Sequence, residues 1–401
     1  MFIRFYFLLL LLGSILISRP LIAGGSSYSY ASYGLVEYRP NIRALGMGGV
    51  NVAVPSSYTI NFNNPAGLIG LQMTRFEGSF YYEGVKVSNS AQSAFSNSVN
   101  LNHIAFAIPF GKNVAASFGL ARYSKVEYSY EKTSSFSGVN YTEKFVGDGG
   151  LRQMSFTLAG RVHKQWTLGL SAQYLLGSIQ RNWQVIWNSG DFSNTSDART
   201  EHFGGLRWVA GGIYEYQKFH FGTYVALSTD MTKKVLQIDA LGDTTLQSYG
   251  QSASPFEVGV GATYDLNRRY LLGMDIVYSG WNGVKAFANN QDNRNTVRLA
   301  LGAERKPSAS ISSPYFEKWH YRGGFYFQNM YASGAAKKFS NEYFVTAGFG
   351  MPFNKDKNVL DVTFELGQRG SVSANTVRDR IFRINFSVSG GERWFQNRQR
   401  R

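Results

Sequence analysis

The sequence contains no cysteine, and only 9 of its 401 residues are proline. A chain without cysteine forms neither disulfide bonds nor thiolate metal sites, and it cannot carry the lipidated cysteine of a lipoprotein. After the first 23 residues, no stretch approaches the roughly 18 consecutive apolar residues that a membrane-spanning helix needs. These absences exclude a disulfide-bonded domain, a lipoprotein and a helical membrane protein.

Histidine is scarce as well, with five residues in the whole chain. A hydrolase needs a histidine beside a nucleophile and an orienting partner, and a zinc site needs histidines and carboxylates at close spacing. Neither pattern surrounds the histidines, which are His103, His163, His202, His220 and His320. The sequence therefore predicts no catalytic residue, no metal site and no cofactor, and an outer-membrane hydrolase is the weakest alternative.

The first 23 residues have the layout of a secretory signal peptide. Arg4 supplies a basic start, and residues 5–17 form an apolar core interrupted by Gly13 and Ser14. Small residues ending at Ala23 then provide a plausible cleavage point. We expect cleavage after this residue, with an uncleaved anchor as the alternative.

Aromatic residues and glycine are abundant, with 25 Tyr, 30 Phe, 7 Trp and 43 Gly. This composition is typical of an all-β protein, and a β-barrel of this length can form a single domain. The formal net charge of +15 is dispersed along the chain. Dispersed positive charge favours contact with outer-membrane lipid and lipopolysaccharide, or a solvated surface, and not nucleic acid.

Several segments alternate large apolar residues with small or charged ones. In residues 360–366 one face is Leu, Val, Phe and Leu, while the other face carries Asp361, Thr363 and Glu365. Charges in the middle of a strand fit a polar lumen inside a barrel whose apolar face meets lipid. A half-buried strand of a soluble sandwich also alternates, so that fold is the alternative on this pattern alone.

The spacing of these segments predicts an all-β fold, a transmembrane antiparallel β-barrel of about fourteen strands. The predicted strands are 74–85, 101–109, 114–130, 151–161, 166–187, 203–216, 219–230, 255–265, 270–283, 295–305, 319–330, 342–351, 359–368 and 378–389. Short connections, such as 110–113 and 217–218, alternate with long polar ones, such as 131–150, 188–202 and 231–254. Bacterial outer-membrane barrels separate their loops in this way, with the short turns in the periplasm. A sandwich has no reason to do so.

We expect four parts along the chain. They are a cleaved signal peptide (1–23), an N-terminal hatch that plugs the lumen (24–73), the transmembrane barrel (74–395) and a basic periplasmic tail (396–401). Fourteen strands enclose more room than their own side chains fill, which is why a plug is expected.

Charged residues on the predicted inner faces form a possible lumen network. It consists of Arg75, Glu77, Asp275, Arg298, Asp361, Glu365 and Arg383. Buried charges must be paired or hydrated. We therefore interpret these residues first as a brace for the wall, with a direct role in ligand handling as the alternative.

The hatch segment carries a glycine cluster and an Asn-Pro-Ala sequence. The glycines do not form a dinucleotide site, because no strand, helix and parallel sheet surround them; they suit tight backbone packing instead. The motif residues are Arg43, Gly46, Gly48, Gly49, Asn64, Pro65 and Ala66. Together they resemble the hatch of the outer-membrane long-chain fatty-acid transporter family (FadL-like, OmpP1–TodX type), and residues 387–395 resemble the barrel ends of its Bacteroidetes-type members.

This resemblance implies a fourteen-stranded barrel for passive uptake of hydrophobic solutes, either long-chain fatty acids or aromatic hydrocarbons, gated by the hatch. The ligand would leave past the hatch, into the periplasm or sideways through a strand kink, which we expect near Gly119 because glycine weakens a strand. Loop aromatics are expected to contact ligand, with ordinary girdle residues as the alternative. They are Phe136, Tyr141, Phe145, Trp183, Trp187, Phe192 and Trp281.

The expected partners are a hydrophobic small molecule, outer-membrane lipid, lipopolysaccharide and the barrel-assembly machinery. A second function stays open, because related barrels include components of a protein-export machine. On that hypothesis the chain is a structural or secretion-associated barrel that binds protein partners.

Overall fold

The computed structural model describes residues 25–394, apart from 39, 189, 191, 240–243, 285–292, 309, 311, 334–337 and 355–356, and only the backbone of 245–251. The predicted signal peptide (1–23) and basic tail (396–401) lie outside the described residues.

The described chain is a closed antiparallel sheet in which the last strand pairs with the first long one. The strands are β1 (Leu35–Val36), β2 (Thr74–Ser88), β3 (Ser93–Phe110), β4 (Val114–Arg122), β5 (Ser124–Phe136), β6 (Val139–His163), β7 (Trp166–Trp187), β8 (Thr195–Tyr216), β9 (Phe219–Ala226), β10 (Thr229–Ile238), β11 (Thr244–Ser254), β12 (Phe256–Asp265), β13 (Tyr270–Gly280), β14 (Thr296–Arg305), β15 (His320–Asn329), β16 (Asn341–Phe353), β17 (Asn358–Gly370) and β18 (Arg378–Glu392). Two short α-helices are present, α1 (Ile42–Gly46) and α2 (Val372–Asn375), with 3-10 turns at Ser27–Ser29, Pro65–Gly70 and Tyr315–Lys318.

Three barrel strands are each interrupted once. The interruptions lie at Tyr123 between β4 and β5, at residues 227–228 between β9 and β10, and at Pro255 between β11 and β12. Pro255 has no N–H to donate, which explains the last of them. Counting each interrupted strand once and leaving out the short β1, the described residues form a barrel of 14 strands, and the predicted fold class is confirmed.

The two faces of the wall differ as the alternation predicts. Large apolar side chains such as Phe118, Leu170 and Leu301 point outward and are about half exposed. Charged side chains of the same strands, such as Arg298 and Glu365, point inward and are buried. An apolar outer band around a polar interior is the arrangement of a barrel in lipid. Within the described residues, no helix is long and apolar enough to cross a membrane.

Three segments predicted as long loops are strands in whole or in part. The predicted loop at 131–150 is the end of β5, a tight turn at Ser137 and Gly138 with positive φ at both residues, and the start of β6. Similarly, much of 231–254 belongs to β10 and β11, and residues 195–202 of the predicted loop 188–202 are the start of β8. These predictions were wrong because polar residues were taken to end a strand. A strand that projects beyond the membrane needs no apolar face, and two successive positive φ angles match the twist of a hairpin.

The segment that precedes β2 lies inside the barrel. Helix α1 packs against β15, β16, β17 and β18, and the turn Pro65–Gly70 packs against β4, β6, β7 and β8 on the other side. Each begins with an asparagine cap: Asn41 Oδ1 accepts from the N–H of Ala44 at 2.8 Å, and Asn64 Oδ1 accepts from that of Ala66 at 3.1 Å. Asparagine is favoured at this position, and proline at the first helical position needs no N–H. The Asn-Pro-Ala sequence is therefore the start of a helical turn.

Candidate functional site

Within the glycine cluster, Gly48 lies directly against the backbone of the barrel wall, with no side chain between the two. Gly48 and Gly49 have φ values of 67° and 90°. A Cβ atom on Gly48 would lie 2.8 Å from the carbonyl oxygen of Leu301, and one on Gly324 of β15 would clash with the backbone of Met47 and Gly48. Glycine is needed here for its positive φ and for this close approach.

Arg43 of α1 connects the segment to the wall through a buried ion pair. Its Nη2 atom lies 2.6 Å from Glu304 Oε2, and its Nε donates to Oε1 at 3.1 Å. Glu304 also accepts from Arg322 Nε at 2.8 Å, and Arg322 in turn donates to Asp361 and to the hydroxyl of Tyr58. Burial alone would lower the pKa of Arg43, but Glu304 outweighs burial and raises it above its usual value.

Two carboxylates of the predicted network bind backbone amides of the segment. Asp275 accepts from the N–H groups of Asn51 and Val52 at 2.6 and 2.9 Å. Glu77 accepts from the N–H of Ile60 at 2.9 Å, and its other oxygen lies 3.0 Å from His103 Nε2. Hydrogen bonds to a charged acceptor are stronger than neutral ones, so these contacts hold the segment in place on opposite sides of the barrel.

The remaining predicted lumen residues are also buried and face inward. Arg298 donates to the carbonyl oxygen of Gly48 at 3.0 Å and lies over the ring of Tyr326, 3.7 Å from its centroid. Arg383 contacts Glu365 at 3.6 Å, together with Glu83 and Glu37. Arg75 lies apart from this group and donates to the carbonyl oxygens of Lys357 and Ser57.

The space left between the segment and the wall is small and charged. A cavity of about 70 Å³ is lined by Arg122, Arg207, Glu257 and Arg298, among other residues. Sites for small molecules usually have volumes of about 300–1,000 Å³ and are mostly apolar. The cavity is therefore better suited to water molecules than to a hydrophobic solute.

Most of the aromatic residues expected at the loops lie at the extracellular end of long strands. Phe136, Trp183 and Phe192 are between a third and two thirds exposed. Trp281 differs, because it is buried and stacks on Tyr331 with 4.1 Å between ring centroids. Trp281 also lines the cavity.

Next to the segment that precedes β2, the backbone pairing between two neighbouring strands of the wall is interrupted, and we call this place the seam. Strand β3 pairs with β4 only from His103 onward, opposite Ala121. Beyond that point, within the described residues, no backbone pairing joins residues 93–102 of β3 to β5, which pairs instead with β6 and with the short β1. The predicted kink residue, Gly119, lies inside β4, four residues before the interruption at Tyr123.

One lysine bridges the seam. Lys125 of β5 is buried, and its Nζ lies 2.9 Å from Glu83 of β2 and 2.9 Å from the hydroxyl of Ser98 on β3. Glu127, two residues further along the same face of β5, also pairs with it. Lys125 could not be predicted from the sequence, since a single lysine in a polar strand carries no signal that separates it from a solvated one.

We expect substitution of Lys125 to loosen this seam. In a Lys125→Met chain, Glu83 keeps its pair with Arg383, but no charged side chain of β5 contacts β3 among the residues that the structure describes. A cysteine at Ser98 should then react with a membrane-impermeant maleimide about tenfold faster, which corresponds to about 1.4 kcal/mol of local opening free energy. A cysteine at Ser93, at the exposed end of β3, should react equally fast in both backgrounds. Equal labelling rates at Ser98 would contradict a bridging role.

Comparisons with known proteins agree with this geometry. A family model described as BamG matches residues 2–400. Among solved structures, a Pseudomonas aeruginosa FadL homologue has a TM-score of 0.61 at 13% identity, covering 90% of this chain and 99% of its own. The Ralstonia pickettii toluene transporter TbuX has a TM-score of 0.61 at 15% identity (87% and 97% covered), and the CymD monoaromatic hydrocarbon channel 0.60 at 13% (88% and 97%). No curated protein sequence matches the chain. At these identities the solved structures show a shared fold.

Proposed function

Because the chain belongs to the BamG family, we propose that this outer-membrane protein works with the barrel-assembly machinery, as a barrel that binds protein partners and keeps its own lumen closed. The family name supports an association with barrel assembly. The FadL-type fold supports the location in the outer membrane.

The closed lumen is the observation that carries this proposal. Residues 41–71, which belong to the predicted hatch (24–73), are joined by an ion pair and charged hydrogen bonds to β2, β13 and β14. Removing one partner of such a buried pair costs about 3–5 kcal/mol. A barrel held shut on several sides is suited to a structural or binding role, because it can sit beside other proteins without making the membrane permeable.

The long strands support the same proposal. Strand β6 has 25 residues, whereas a strand needs about 9–11 to cross the membrane. The parts of β5, β6, β7 and β8 beyond the membrane stay paired as a sheet at the extracellular end, and protein partners can bind such a surface.

Uptake of hydrophobic solutes is the second candidate, and the seam is the observation that favours it. The seam offers a lateral path between β3 and β5 that the hatch and Lys125 would gate. Two neighbours in fold are a monoaromatic hydrocarbon channel and a toluene transporter. On this hypothesis the solute is an aromatic hydrocarbon or a long-chain fatty acid. Assignment to a Bacteroidetes-type member stays a prediction as well.

A depletion experiment separates the two functions. In cells depleted of the chain, we would measure the folded amounts of unrelated outer-membrane barrels and the uptake of labelled toluene and oleate, with the full chain restored as the control. Fewer folded barrels with normal uptake would support the assembly role. Normal barrel levels with reduced uptake would overturn it in favour of the channel.

A further inference from the structure

A second, larger cleft lies on the inner face of β5, β6, β7 and β8, in the part of these strands beyond the membrane. It is separate from the lumen charges that bind residues 41–71. Its volume is about 250 Å³. Its lining includes Tyr30 of the N-terminal segment, Phe145, Trp183, Arg181, Asp197 and Arg199. None of these residues belongs to the closed lumen site described above.

One side of this cleft is a row of aromatic rings on neighbouring strands. The ring centroids of Tyr128 and Tyr130 are 5.9 Å apart, those of Tyr130 and Phe145 are 4.8 Å apart, and those of Phe145 and Trp183 are 6.1 Å apart. Trp183, at the end of the row, is 43% exposed. Tyr130 and Trp183 are the exposed rings of this row, while Tyr128 is buried. Exposed rings beside a cleft suit a ligand with flat apolar faces.

The other side is positively charged and held in a fixed geometry. Glu201 is fully buried and pairs with three cations: Arg181 at 2.8 Å, Arg199 at 2.9 Å and Lys233 at 2.8 Å. Arg181 also donates to the carbonyl oxygen of Ser32 at 2.8 Å. Arg181 and Arg199 both line the cleft, so their guanidinium groups are within reach of a ligand bound there. Guanidinium groups fixed in this way favour carboxylates and phosphates.

Asp197 also lines the cleft and favours a hydrogen-bond donor on the ligand. Its Oδ1 atom is buried, yet it accepts no hydrogen bond from any residue that the structure describes. A buried acceptor without a partner is unfavourable, because it has lost its hydrogen bonds to water. A ligand that fits this cleft therefore needs a hydroxyl or another donor beside its acidic group.

We propose that this cleft binds an acidic sugar. The sugar ring packs on Trp183 and Phe145, a ring hydroxyl donates to Asp197, and the carboxylate or phosphate pairs with Arg181 and Arg199. This inference does not depend on the function proposed above. Acidic sugars at the cell surface come from lipopolysaccharide of the same membrane or from free polysaccharide, and the chemistry of recognition is the same for both.

Calorimetric titration of the full chain in detergent tests the proposal. An oligogalacturonate should bind at least tenfold more tightly than a neutral maltooligosaccharide of the same length, and benzoate should not compete. Equal affinity for the neutral sugar, competition by benzoate at the same concentration, or no binding would each overturn the proposal. A parallel titration with phosphatidylcholine vesicles, with and without lipopolysaccharide carrying an acidic core, identifies the source. Binding only to the vesicles with lipopolysaccharide supports a source in the membrane, and binding of oligogalacturonate alone supports free polysaccharide. Equal binding to both kinds of vesicle would overturn the proposal.

Matched variants place the binding in this cleft. Trp183→Ala should weaken oligogalacturonate binding about tenfold, whereas Trp166→Ala, which removes a similarly exposed tryptophan of the same strand, should not change it. Arg199→Gln should have an effect similar to that of Trp183→Ala, and Arg161→Gln, in an ion pair with Glu215 at 3.5 Å, should have none. Equal losses in the cleft variants and their controls would overturn the assignment.

Discussion

Replacing Gly324 by alanine is expected to displace the hatch and open the lumen. Its Cβ atom would occupy the place of the backbone at Met47 and Gly48, and neither backbone can move without breaking sheet or hatch contacts. Overpacking of this kind costs about 1–3 kcal/mol even where a core can adjust. Cells carrying this variant should become sensitive to vancomycin, and the purified protein should conduct ions in planar bilayers.

Gly323 provides the control for this experiment. It precedes Gly324 on the same strand, and a Cβ atom there meets no other atom within 4 Å. Gly323→Ala should thus leave conductance and drug sensitivity as in the wild type. If both variants conduct equally, the conductance would result from a less stable strand β15 and not from the contact of residue 324 with Met47 and Gly48.

Replacing Arg322 by alanine is expected to destabilise the folded barrel by about 3–5 kcal/mol, because Glu304 and Asp361 lose a buried partner. Arg43 remains on Glu304, but Asp361 keeps no cation of comparable proximity among the described residues. Unfolding of the barrel in lipid vesicles by guanidinium chloride, followed by tryptophan fluorescence, measures the change.

Arg269→Ala supplies the comparison, since Arg269 pairs with Glu317 at 3.1 Å while 40% of its side chain is exposed. Exposed pairs contribute about 0–1 kcal/mol, so this variant should unfold close to the wild-type midpoint. A similar small shift for Arg322→Ala would show that water reaches Glu304 and Asp361 in the folded barrel.

Much of the wall could be predicted from the sequence because its signal is local. In residues 360–366, the alternation of Leu360 and Val362 with Asp361 and Thr363 reports directly which side faces lipid. The short turns at 110–113 and 217–218 also follow from local composition. The extent of the strands beyond the membrane could not be read in this way, since polar residues such as those around Glu131 are equally common in loops and in solvated strands.

The lumen charges were predicted as a group, but their partners were not. The inward position of Asp275 follows from the period of its strand, whereas its bonds to Asn51 and Val52 join residues more than two hundred positions apart. The seam is harder still, because it is an absence of pairing between β3 and β5. A sequence pattern describes a strand and not its neighbour, so Lys125 showed no sign of its role.

The hatch has a consequence for the order in which the protein folds. Its residues leave the ribosome before any strand, yet Ile60 bonds to Glu77 of β2, Asn51 to Asp275 of β13, and Tyr58 to Ser389 of β18. Ser389 reaches its position beside Tyr58 only when β18 has paired with β2. Residues 41–71 therefore reach their final position only after the barrel has closed. The formation of their contacts with the wall would report that the barrel is complete.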